Sequence, residues 1–115
     1  MIKKIDSADE LRAMPGSQAN FLVYFYNDGC APCLSLRPKV EQLMFDRFPK
    51  MDLIYINSLD YPELVAEFQA FSFPVIIIYF EGKEFRRYSK YVSITELGEV
   101  IGRIYALYYL EDQSS

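Results

Sequence analysis

Cys30 and Cys33 are the chain's two cysteines, with Ala31 and Pro32 between them. Two thiols at that spacing can ligate a metal, close a small structural disulfide, or cycle between dithiol and disulfide. A structural zinc site takes four ligands. The chain has no histidine, so zinc would need carboxylates or a second subunit, and no metal site is expected. A structural disulfide closing so short a loop stabilises by only roughly 2 kcal/mol in the chain-entropy model. Redox exchange is the reading these residues favour. The same absence of histidine removes Cys-His and Ser-His nucleophile pairs. The five glycines are scattered, so neither a phosphate loop nor a dinucleotide fingerprint is present. No cofactor is expected.

A thiol exchanges as its thiolate, so the elements around the pair matter. Phe21 to Tyr26 is an unbroken apolar and aromatic run with the length of a buried strand. Asn27, Asp28 and Gly29 break it. Beyond Cys33, apolar Leu36, Val40, Leu43, Met44 and Phe48 recur at helical spacing, predicting a helix to about Phe48 with a kink at Pro38. The pair therefore lies where a strand gives way to a helix. Unpaired N–H groups and the helix dipole would there favour an anion on Cys30.

Around this centre, Ile2 to Ile5 reads as a short first strand, and Ser7-Ala8-Asp9-Glu10 as a capping box opening a helix stopped by Pro15-Gly16. Met51 to Ile56 predicts a strand, and Pro62 opens a short helix whose apolar face is Leu64, Val65 and Phe68. Val75 to Phe80 is a fully apolar strand that needs protein on both faces. Glu81-Gly82-Lys83 turns the chain into Glu84 to Tyr88, a polar strand suited to a sheet edge. Ser93 to Glu96 is a second capping box, starting a helix from about Ile94 to Leu110 with Ile94, Leu97, Ile101, Ile104 and Tyr108 facing the core. Beside that stripe lie Gly98, Gly102, Tyr105 and Tyr109, either a surface for weak self-association or a seat for the chain's own neighbouring helix. The order of elements predicts an α/β fold: a central mixed sheet with helices on both faces.

At 115 residues, 51% of them hydrophobic and with ten tyrosines and nine phenylalanines, the chain can bury a core as one domain. That domain is expected over residues 1–110, with 111–115 a loose tail. The net charge of −4 disfavours nucleic acid as a partner. No apolar run approaches a membrane span, and no secretory signal follows the first lysines. A cytoplasmic location is the default expectation.

Four features in register resemble the thioredoxin family from about Ile2 to Leu110: Cys30-Ala31-Pro32-Cys33 at the strand-to-helix turn, Pro38 inside the helix, Pro74 before an apolar strand, and Gly82 in the hairpin. The resemblance implies a thioredoxin-like fold and a thiol-disulfide oxidoreductase acting on protein disulfide substrates, most simply as a reductant. The protein would itself be recycled by a thioredoxin-reductase-like enzyme or a small thiol. It also implies that Cys30 is the nucleophile and Cys33 the resolving thiol. By the same resemblance Pro32 helps set the turn, and Pro74 is a cis-proline opposite the cysteines, with the Phe73 backbone open to an extended substrate.

The departures are specific. Tyr24 and Tyr55 stand where the family commonly has a buried Asp and its Lys partner, so Cys33 lacks the usual carboxylate base, and the two tyrosines either hydrogen-bond near the pair or fill core space. Gly29 stands where a Trp is usual, Ala31 where Gly is frequent, and Lys90 beside Tyr91 where the facing loop has Gly. Lys90 either supports the thiolate and acidic substrates or is simply solvated. These differences keep open a second reading: a redox-inert or redox-sensing binding module on the same fold.

Overall fold

The computed structural model describes residues 2–110, and the expected tail at 111–115 lies outside them. Its elements run α1 (Ala8–Ala13), β1 (Phe21–Tyr26), α2 (Ala31–Arg47), β2 (Asp52–Asn57), α3 (Pro62–Glu67), β3 (Val75–Phe80), β4 (Lys83–Ser89) and α4 (Ile94–Tyr105), extended by a π-helical turn over Ala106–Leu110. The sheet order is β2-β1-β3-β4. β1 pairs parallel with β2 and antiparallel with β3, and β3 pairs antiparallel with β4. The mixed sheet read from the element order is therefore present.

The run from Phe21 to Phe25 is wholly buried because β1 has strands on both sides and helices over both faces. Alternate residues feed two cores. Leu22 and Tyr24 join Val40, Leu43 and Met44 of α2 and Leu97 and Ile101 of α4. Phe21, Val23 and Phe25 join Leu11 of α1 and Leu64 of α3. β3 splits the same way, with Ile76 and Ile78 on the first face and Val75 and Ile77 on the second. Each such side chain contributes about 1.5–3 kcal/mol on burial, which fixes the sheet's register and so the point where β1 hands over to α2.

Two expectations change in detail. Ile2 to Ile5 is not a strand: one parallel bridge joins Ile2 to Leu53, and the Lys3 N–H donates to the Leu53 carbonyl at 2.8 Å. Lys3 and Lys4 are exposed, and only Ile5 sinks into the core, so no apolar face drives longer pairing. Ser7 does cap α1 by position, but its side chain makes no capping hydrogen bond. At Ser93 the hydroxyl oxygen accepts from the Glu96 N–H at 3.2 Å.

The glycine stripe on α4 faces the chain's own α2. A Cβ at Gly98 would meet an Arg47 guanidinium nitrogen at 2.7 Å, and one at Gly102 the other at 3.1 Å. The Tyr105 ring packs edge-on against Phe48, and Tyr109 accepts a hydrogen bond from the Asn20 side chain at 2.7 Å. These contacts are those of the second reading, a seat for the chain's own neighbouring helix.

Candidate functional site

The turn into α2 is built by its own polar groups. The Asn27 side-chain oxygen accepts from the Gly29 N–H at 2.9 Å and the Asn27 carbonyl from the Cys30 N–H at 3.2 Å. This bends the chain out of β1 so that Cys30, in extended conformation, becomes the N-cap of α2, with Pro32 in the first turn. Proline fits there because the first helical N–H groups have no intrahelical partner. Cys30 and Cys33 are joined in a disulfide, their Cα atoms 5.3 Å apart. Cys30 is partly exposed and Cys33 is 1% exposed.

The Cys33 N–H donates to Cys30 Sγ at 3.2 Å. An N-cap acceptor takes one of the helix's orphan donors in this way. If the disulfide is reduced, the same amide and the positive end of the helix face any charge on Cys30, which stabilises thiolate over thiol.

Beneath the pair, Tyr24 is fully buried and its hydroxyl donates to the Cys33 carbonyl at 2.7 Å. Burial pushes its pKa up to about 12, with the nearby Arg37 charge pulling weakly the other way. Tyr24 therefore acts as a neutral donor to the backbone. Tyr55 lies opposite Tyr24 in the β1–β2 register, their rings edge to face at 5.5 Å. The Tyr55 hydroxyl donates to Glu41 Oε1 at 2.6 Å, and burial followed by this bond raises its pKa. Of the two roles left open for these tyrosines, both hydrogen-bond as well as fill space.

Two residues of this cluster escaped sequence reading. The guanidinium carbon of Arg37 sits 4.0 Å from the centre of the Tyr55 ring and 5.2 Å from that of Tyr26, and Arg37 Nε is 3.9 Å from Glu41 Oε1. Charged residues on a helix are ordinarily read as its solvated face. The available signal was their spacing: Cys33, Arg37 and Glu41 stand at successive i,i+4 positions and so share one side of α2.

Of the remaining predicted residues, Pro32, Pro74, Lys90 and Tyr91 share one groove. The Phe73–Pro74 peptide bond is cis, Pro74 is buried, and half-buried Phe73 packs against both cores. The Lys90 N–H donates to the Pro74 carbonyl at 3.1 Å, tying the loop after β4 to the cis-proline. Lys90 has φ of 64°, the left-handed conformation that favours glycine. Pro32, Leu36, Pro74, Lys90 and Tyr91 line one groove of about 520 Å³, and Tyr91 is 92% exposed at its edge. Gly29 and Ala31 are exposed beside Cys30 and outside that lining. Among the described residues, no group of three or more Cys, Asp or Glu side chains could hold a metal, and no helix is long and apolar enough to cross a membrane.

The family model for thioredoxin matches residues 5–103. The chain belongs to the thioredoxin family. It is 31% identical over 86 residues to the thioredoxin-like protein YdfQ of Bacillus subtilis, covering 75% of this chain and 76% of that one. Against a thioredoxin of Staphylococcus aureus it is 24% identical over 103 residues, 90% of this chain and 96% of the other. The crystal structure of thioredoxin from Trypanosoma brucei brucei shares the fold, with a TM-score of 0.79 at 17% identity over 90% of both chains. Family membership and the bonded Cys30–Cys33 pair support a thiol-disulfide oxidoreductase, and the redox-inert binding reading is not favoured.

Proposed function

We propose that the protein reduces disulfides of protein substrates, with Cys30 as nucleophile and Cys33 as resolving thiol. The observation that carries this reading is the partly exposed Cys30 at the helix N-terminus, its sulfur bonded to Cys33 and accepting the Cys33 amide hydrogen bond. In the first step the Cys30 thiolate attacks one substrate sulfur. The substrate S–S bond breaks, a mixed disulfide forms, and the leaving thiolate takes a proton from solvent. In the second, Cys33 loses its proton to water and attacks Cys30 Sγ, closing the bond seen here and releasing the second substrate thiol. Two electrons from a thioredoxin-reductase-like enzyme or a small thiol restore the dithiol.

Substrate is held by the groove between Pro32 and Pro74. An extended segment lies along the Phe73 backbone, with Gly29 and Ala31 leaving room at Cys30, and Lys90 and Tyr91 contacting the segment's flank. Pro32 sets the turn, and Tyr24 and Tyr55 support it from below. Net reduction requires a reducing compartment, for which the cytoplasm is our reading. One assay decides: with dithiothreitol as electron source, the native protein is expected to accelerate insulin reduction and Cys30→Ser to be inert. Equal rates for the two would overturn the proposal.

A further inference from the structure

Resolution requires Cys33 to lose a proton in a place almost closed to solvent, at 1% exposure. Burial in apolar surroundings disfavours a thiolate. Among the described residues no charged side chain is buried, so no buried carboxylate stands ready to take the proton. Tyr24, the polar group closest beneath the cysteine backbone, is committed as a donor to the Cys33 carbonyl. A charge of the right sign stands on the same face of the same helix. Arg37 follows Cys33 by four residues, about 6 Å along the axis, and its guanidinium is held over the Tyr55 and Tyr26 rings. Its side chain is 38% exposed. A guanidinium carries its charge at every pH at which thiols exchange.

We propose that Arg37 is the positioning residue for resolution: its fixed cation, braced on Tyr26 and Tyr55, favours the Cys33 thiolate so that solvent water can take the proton. This rests on the reading of Cys33 as the resolving thiol. The other groups facing Arg37 are Tyr24 and Tyr26 from β1, Tyr55 from β2, Glu41 from α2, Asp60 beyond β2, and Lys3 and Lys4 from the N-terminal segment. Burial raises the pKa of Tyr24 and of Tyr55, which keeps both neutral. Glu41 Oε1, 3.9 Å from Arg37 Nε, opposes Arg37, but its backbone stands eight residues from Cys33, one turn beyond that of Arg37, and on this inference the cation carries the greater weight. The two charges therefore act on Cys33 with opposite signs and unequal weight.

The test follows the titration of Cys33 by the carbon-13 shift of its Cβ in a reduced Cys30→Ala background. Arg37→Gln is expected to raise the midpoint by on the order of half to one pH unit, and Arg37→Lys to restore most of that shift. Glu41→Gln should lower the midpoint by a smaller amount. A purely structural role would move Arg37→Gln and Glu41→Gln the same way, since each breaks the same contact; that result, or no shift in Arg37→Gln, overturns the inference. If Arg37→Gln does not fold, the downward shift in Glu41→Gln decides alone, and its absence overturns the inference. Because the titration is read without turnover, its failure is distinct from failure of the insulin assay, which bears on exchange itself.

Discussion

Removing one oxygen atom at position 24 tests how the floor of the site is held. In Tyr24→Phe the ring is kept, while the 2.7 Å bond from a fully buried hydroxyl to the Cys33 carbonyl is lost. A buried hydrogen bond of this kind contributes about 1 kcal/mol net, so at pH 7 the oxidised variant should be less stable by about that amount, a Tm drop of about 4 °C. At high pH the sign reverses. The native Tyr24 pKa is pushed up to about 12 from an ordinary 10, so the unfolded chain ionises first. The stability tied to the neutral phenol is complete below pH 10 and is lost as pH rises towards 12. At pH 11 a two-unit shift removes about 1.4 kcal/mol from the native protein, a loss that phenylalanine cannot suffer. The roughly 1 kcal/mol gap at neutral pH should therefore vanish near pH 11. Urea titrations of both proteins at pH 7 and pH 11 measure this directly. Equal stability at pH 7, or a gap that persists unchanged at pH 11, would refute the account of Tyr24 as a buried neutral donor.

Two further outcomes follow from the scaffold. Gly82 has φ of 75°, and a Cβ there would run into the Ser17 backbone, which cannot yield; Gly82→Ala should lose at least about 2 kcal/mol in urea unfolding. Ser93→Ala removes the cap bond to the Glu96 N–H and should cost about 1 kcal/mol. Ser7→Ala, where no such bond exists, should leave the urea midpoint unchanged, and equal losses in the two serine variants would show that the caps are not distinguished in this way.

The frame of the fold was legible because its signals are strong and local. Phe21 to Tyr26 and Val75 to Phe80 are apolar without interruption, and in this sheet such runs sit at the centre with helices over both faces. The cysteine turn was legible because strand, breaker and helix follow one another without a gap. The first segment was over-read: Ile2 and Ile5 have strand-like character, but exposed Lys3 and Lys4 leave only one bridge to Leu53. The Ser7 box failed for a related reason. A motif supplies the groups for a bond, while rotamer and neighbours decide whether it forms, and only Ser93 forms it. At the site, Tyr24 and Tyr55 were found by position, whereas Arg37 and Glu41 were passed over because a periodicity reading sends charged residues to solvent. Cation-on-ring contacts depend on which strands lie under the helix, which spacing along α2 alone does not reveal.

The Arg47 head seated against Gly98 and Gly102 carries a consequence for how this scaffold can vary. Two helices usually set their separation by interlocking bulk from both sides; here Leu97 and Ile101 of α4 do so with α2, but at Gly98 and Gly102 α4 offers bare backbone, and the spacer is the flat tip of a long, pliable side chain. Such a spacer behaves as a removable shim. A change at residue 47, 98 or 102 therefore bears first on the last turn of α2, at the opposite end from its cysteine-bearing start.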